Sequence, residues 1–124
     1  MSRLSAILEV CNAVVDARVK LLAINLVNLT GADEAKVKKI VSIVSGVERG
    51  AITADQVLAT FREDTPNLTD PETAISAIRE ICGASPVPES SLLGAIQAIL
   101  WGQSPQNMLE MARNAQRDYA SLRA

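Results

Sequence analysis

Among the 124 residues, the side chains able to do chemistry are carboxylates, lysines, arginines and two thiols, and there is no histidine. That absence removes the group most used for proton transfer near neutral pH and the commonest zinc ligand. The carboxylates pair as sequence neighbours, Asp33-Glu34 and Glu63-Asp64. Such pairs serve as helix caps and solvated faces, whereas an acid–base dyad needs two carboxyl groups facing one another across a substrate. The sequence has no glycine-rich phosphate loop, no metal-ligand spacing and no nucleophile with a base partner. Cys11 and Cys82 sit inside apolar helical patterns, where cysteine behaves as a small hydrophobe. Both are read as reduced core residues, which points to a cytoplasmic protein. The expectation is a non-enzyme without cofactor or metal.

Recognition chemistry is better represented. Trp101 ends a helical pattern whose inward set is Leu92, Ile96 and Ile99, and it falls on the opposite side with Gly94, Gln97 and Ala98. Gly94, Ala98 and Trp101, spaced i, i+4, i+7, make a shallow groove of small residues closed by one large aromatic. Either another helix of the same chain fills it or a partner does, since tryptophan is enriched at interface centres. Downstream, Met108, Ala112, Ala115, Tyr119 and Leu122 recur with 4-3-4-3 spacing, a narrow coiled-coil-like seam. With Met111 the seam is rich in alanine and methionine, a face able to dock loosely on its own domain or on a second helix, while Arg113, Arg117 and Arg123 flank it.

Lys36, Lys38 and Lys39, with Arg49 beyond, form the densest basic patch. Read as a helix-turn-helix, this region would place Ala54-Asp55-Gln56 at the start of the recognition helix, with no cation before Arg62. That end is poorly equipped to meet phosphates and bases, so a solvated face is the better reading.

These side chains need helices to hold them, and the sequence supplies little else. At 48% apolar and 21% charged with net charge −2, the chain is too apolar for disorder and has no overall pull toward nucleic acid or anionic lipid. Its length fits one domain, residues 1–124. The expected fold is an all-α bundle of about six helices. The first spans 3–29, with Ser5, Glu9, Asn12, Asp16 and Lys20 on a narrow polar side. Its two apolar stripes, Leu8-Val15-Leu22-Leu29 and Ile7-Val10-Val14-Ala17-Leu21-Ile24, mark it as a central rod. Arg18 and Asn25 fall in its apolar arc, where they either bond internally or mark an opening. Glu9, Asp16, Arg18 and Lys20 interrupt the apolar run, so neither a membrane span nor a signal peptide is expected.

A second helix is expected from Asp33 to Ser45, and a third after the capping box Thr53-Ala-Asp-Gln56, with Ile52 as staple on Val57. A fourth follows Thr69-Asp-Pro71-Glu72 and stops at Gly83. A fifth opens at Ser90 or Ser91 and ends at Trp101-Gly102, and a sixth starts after Ser104-Pro105. Asn28-Leu-Thr30 recurs as Asn67-Leu-Thr69, each time ahead of a helix that stops at a glycine, so two helix-loop-helix units follow the first helix. Both triplets have the glycosylation pattern, but nothing directs secretion and they are read as turns leading into helices.

A two-hairpin unit of this period, with Gly50-Ala51-Ile52 mid-loop, resembles an EF-hand pair over residues 33–101. The resemblance implies architecture without calcium, because Ser45, Val47, Arg49 and Gln56 stand where carboxylate ligands belong, and Cys82, Ala84 and Pro86 interrupt the second loop.

The functional expectation is a protein–protein interaction module that self-associates or holds a client helix through Gly94, Gln97, Ala98, Trp101, Met108, Met111, Tyr119, Arg113 and Arg117. Two alternatives stand beside it: a nucleic-acid-binding regulator using Lys36, Lys38, Lys39 and Arg49, and a carrier of an apolar small molecule in an aliphatic interior.

Overall fold

The computed structural model describes residues 2–123 and is built from helices, with no strand among the described residues. In chain order they are α1 (Arg3–Asn12), α2 (Ala17–Thr30), α3 (Glu34–Glu48), α4 (Ala54–Thr60), a 3-10 turn (Arg62–Asp64), α5 (Pro71–Cys82), α6 (Glu89–Leu100) and α7 (Pro105–Arg123). An all-α bundle is what the periodicity predicts. The count of α-helices is seven because the expected rod over 3–29 is two helices.

The break spans residues 13–16 and contains neither proline nor glycine. Polar contacts hold it. The Asp16 side chain caps α2, accepting from the Arg18 N–H at 2.8 Å and pairing with the Arg18 guanidinium at 3.1 Å. The Cys11 carbonyl, orphaned at the end of α1, accepts from Lys20 Nζ at 3.0 Å and from the Arg79 guanidinium at 2.8 Å. The Val14 N–H donates to the Glu48 carboxylate at 2.7 Å. The chain then runs back, so that Ser2 and Arg3 line one groove with Gly31 and Ala32, and α1 lies antiparallel to α2. Folding back buries Ile7, Val10, Leu21 and Ile24 of one stripe, but of the other only Leu22 is fully buried, and Leu8 and Leu29 stay exposed, so the two-stripe expectation holds for one stripe alone. Arg18 is thereby paired with Asp16, and Asn25 donates to the Asp64 carbonyl at 2.8 Å, so the two polar residues of the arc bond internally.

Most of the other helix starts follow their capping signals. Thr53 and Gln56 form the full capping box of α4, and Asp33 and Ser104 cap α3 and α7. Two starts differ from expectation. At α5 the cap is Asp70 rather than Thr69, because Pro71 takes the first helical position and leaves the preceding residue as cap; its carboxylate accepts from the Thr73 N–H at 3.2 Å and the Thr73 hydroxyl at 2.6 Å. At α6 the helix starts at Glu89, ahead of the two serines, because Pro88, with φ −56°, leads directly into the first turn.

Helix α3 also runs past its expected stop at Ser45 to Glu48, through Gly46. A Cβ on Gly46 would lie 2.9 Å from Ile52 Cδ1, so this glycine admits the Ile52 side chain, and the chain reverses at Gly50 with φ +80°. Ser45 and Val47 are therefore helical, and the segment aligned with a first EF-hand loop begins as the end of α3 and finishes in the first turn of α4 rather than forming a loop throughout. The two helix-loop-helix units occur in the expected order but are unequal, since α4 has 7 residues and α6 has 12.

The core is one cluster in which Ile7, Val10, Leu21, Ile24 and Val27 of α1 and α2 meet Val37 and Val44 of α3, Ile75, Ile78 and Ile81 of α5, and Ile96 and Ile99 of α6. No charged or polar residue among the described residues is fully buried. The interior is aliphatic and close-packed, and its specificity comes from shape rather than from polar networks.

Candidate partner-binding surface

Helices α5, α6 and α7 pack on one another, and α6 and α7 are joined by the short turn Trp101–Ser104. Leu92, Leu93, Ile96, Ile99 and Leu100 of α6 are buried, so the opposite face of this helix looks outward. Gly94 lies on that face, exposed, with no atom within 4 Å of where a Cβ would stand. Ala98 and Gln97 are half-buried on either side of it, and Trp101, at the C-cap, is 78% exposed. Neither α7 nor α1 covers the tryptophan. The internal alternative raised by the sequence therefore fails at Trp101.

Along α7 the register differs from the expected seam. Placed at about 100° per residue, Met111, Leu122, Ala115, Met108 and Tyr119 share an arc of roughly 80°, and Ala112, Gln116 and Leu109 occupy the next 80° or so. The bundle takes the second arc. Leu109 and Ala112 are buried, and Gln116 donates to the Ser85 carbonyl at 2.8 Å. Leu109, which the seam omits, is the main anchor, and its signal was its spacing of three residues from Ala112 and seven from Gln116. Met108 and Ala115 are only half-buried, while Met111 at 61%, Leu122 at 82% and Tyr119 at 39% face solvent. Arg113 and Gln116 mark the edge toward α5, through Glu80 and Ser85, so the Met108–Ala115 edge turns toward α6.

Of the predicted residues, Gly94, Trp101, Met111 and Tyr119 are exposed on the α6–α7 hairpin. They do not form one small patch. Helix α7 has 19 residues, about 28 Å at roughly 1.5 Å per residue. Trp101 precedes the first turn of α7, and Leu122 lies in its last. Two predicted flanking cations are engaged within the chain. Arg113 pairs with Glu80 at 2.7 Å, and the Arg117 guanidinium donates to the Asn114 side chain. The side chain of Arg123 lies outside the described residues.

The Gln97 side-chain nitrogen is buried without a hydrogen-bond partner, as is that of Asn28 on α2. Asn28 sits inside α2 rather than in a turn leading into a helix; Asn67 lies exposed in the loop before α5.

The remaining chemistry is sparse. Cys11 and Cys82 are free, and burial pushes their thiols up, to about 11 and about 12. Among the described residues no three cysteine, aspartate or glutamate side chains gather as metal ligands. Lys36, Lys38, Lys39 and Arg49 are all exposed on α3 and its C-cap, but Lys39 and Arg49 lie about 15 Å apart along the helix axis. A wholly apolar pocket between α2, α3 and α4, lined by Val19, Leu22, Leu26, Ile40 and Phe61, holds about 10 Å³, room for about one water molecule. No helix of the described residues is long and apolar enough to cross a membrane.

No protein-family model, no curated protein and no solved structure matches this chain.

Proposed function

We propose that the chain is a non-enzymatic protein-interaction module whose docking face is the outer side of the α6–α7 hairpin. The observation that carries this reading is Trp101, which is 78% exposed at the head of a face that its own helices leave open. An exposed tryptophan beside a glycine that needs no room for its own chain is a costly arrangement. The large apolar surface stays in water, and a mid-helix glycine costs about 1 kcal/mol against alanine. A partner helix laid along the face gives both a use. Its side chains enter over Gly94 and Ala98, Trp101 closes one end, and Met111, Tyr119 and Leu122 supply an adaptable apolar edge. The partner is a second copy of the chain or a client helix. The two free thiols, Cys11 buried and Cys82 half-buried, fit a reducing compartment such as the cytoplasm.

The alternatives draw less support. The lysines of α3 cluster near its start, with Lys39 about 15 Å along the axis from Arg49, and α4 has only 7 residues, with the Gln56 side chain engaged in its own capping box. The apolar pocket between α2, α3 and α4 is too small for an organic ligand.

The test is solution mass by light scattering across protein concentration, for the natural chain and for Trp101→Ala. Association that rises with concentration and weakens in the variant, with unchanged helical circular dichroism, supports self-association through this face. A monomer at every concentration in both removes the self-associating form.

A further inference from the structure

The stripe Ile7, Val10, Val14, Ala17, Leu21, Ile24 keeps its 3-4-3-4 spacing straight through the turn between α1 and α2. Ile7, Val10, Leu21 and Ile24 are buried at 1% exposure or less, yet Val14 is 83% exposed. Were residues 13–16 helical, α1 and α2 would join in register as one rod from Arg3 to Thr30, about 42 Å long, with Val14 in line with Ile7 and Leu21. No proline or glycine opposes that conformation. The turn is held by the Asp16 cap, by Glu48 on the Val14 N–H, and by Lys20 and Arg79 on the Cys11 carbonyl, with Ala13 and Val15 packed in part against the core.

Within a single molecule the straight rod is forbidden, because it would strip Ala6, Ile7, Val10 and Cys11 out of the core. Two molecules remove that penalty. Because α1 lies antiparallel to α2 in the hairpin, two straight rods laid antiparallel place the α1 of each copy on the α2, α3 and α5 of the other. Every core contact of α1 is then remade between chains, and Val14 and Val15 meet where the rods cross. We infer that the α1–α2 hairpin is a hinge through which two copies of the chain exchange α1 and form an intertwined dimer. A short turn whose sequence also favours continuous helix is the general condition for such exchange. This rests on α1 and α2 and is independent of the α6–α7 face.

The experiment refolds the full chain from denaturant at low and high concentration and separates monomer from dimer with light-scattering detection. Asp16→Ala removes the cap that belongs only to the bent form and is expected to raise the dimer-to-monomer ratio about tenfold. Val15→Pro puts a proline in the middle of the rod, at a residue whose N–H makes no hydrogen bond among the described residues, and is expected to abolish the dimer and keep a helical monomer. Where that variant fails to fold, inserting Gly-Ser-Gly between Val14 and Val15 tests the same point by lengthening the turn. Trp101→Ala, which bears only on the α6–α7 face, should leave unchanged the fraction of dimer that survives dilution. In native mass spectrometry of mixed light and isotopically heavy dimers, hybrids should form only after joint unfolding and refolding. A chain that stays monomeric at high concentration, a dimer that survives both the proline and the insertion, or hybrids that form freely without unfolding overturns the inference.

Discussion

The carboxylate of Glu48, at the last residue of α3, accepts a hydrogen bond from the backbone N–H of Val14 at 2.7 Å, across 34 residues of sequence. It ties the turn after α1 to the end of α3 and satisfies a backbone donor that neither helix can. Glu48→Ala leaves that donor to water, and because the site is exposed the expected loss is about 1 kcal/mol of unfolding free energy. Glu48→Gln, which keeps an uncharged acceptor, should recover roughly half. Urea denaturation of the three proteins checks the order; equal midpoints would show that the bond contributes nothing.

Acid should weaken the fold at two particular helix starts. Hydrogen bonding to Arg18 holds the Asp16 carboxyl below its usual range, and hydrogen bonding to Thr73 does the same for Asp70. A carboxyl depressed in the folded state adds stability that is fully present above its unfolded value, about 3.9, and is lost as pH falls through the folded value. The expectation is a fall in thermal midpoint below about pH 4, smaller in Asp16→Asn and Asp70→Asn. Asparagine caps a helix nearly as well but has no proton to take up. Calorimetry from pH 6 to pH 2, ranges chosen around the carboxylate values, checks it; identical slopes in the variants would refute the assignment.

The thiols give a different readout. With Cys11 near 11 and Cys82 near 12, both raised chiefly by burial, almost no thiolate exists near neutral pH. Ellman's reagent should therefore label neither thiol quickly in the native protein and both in denaturant. Cys82, only half-buried, should react first as denaturant rises. Fast native labelling of either residue would contradict their packing.

The helical class, the starts of α3, α4 and α7 and the inward set of α6 were legible in the sequence, because capping and periodicity are local. Thr53-Gln56 and Ser104-Pro105 act where they stand, and Leu92, Ile96 and Ile99 turn inward as a set. What escaped depends on distant partners. The bend at residues 13–16 has Asp16 as its only local mark, and it is stabilised by Glu48 and Arg79, far along the chain. The rotation of α7 by about 70° from its expected seam follows from Glu80 and Ser85 binding Arg113 and Gln116, a choice invisible in the helix's own pattern.

Gly94 and Gln97 offer the sharpest test of whether α6 carries a working face or merely an imperfect one. Gly94 has open space around its missing Cβ, so Gly94→Ala should stabilise the fold by about 1 kcal/mol through helix propensity alone. Gln97 buries an unpartnered amide nitrogen, and Gln97→Met should gain a similar amount by removing it. A bulkier change, Gly94→Leu, should leave the monomer folded because nothing lies within 4 Å of the new side chain's first atom. On the reading that a helix packs over this glycine, Gly94→Leu should also abolish association in light scattering, while Gly94→Ala weakens it. Leucine tolerated in both stability and association would mean that no helix approaches α6 at Gly94, and the docking face would have to contract to Trp101 and the exposed residues of α7.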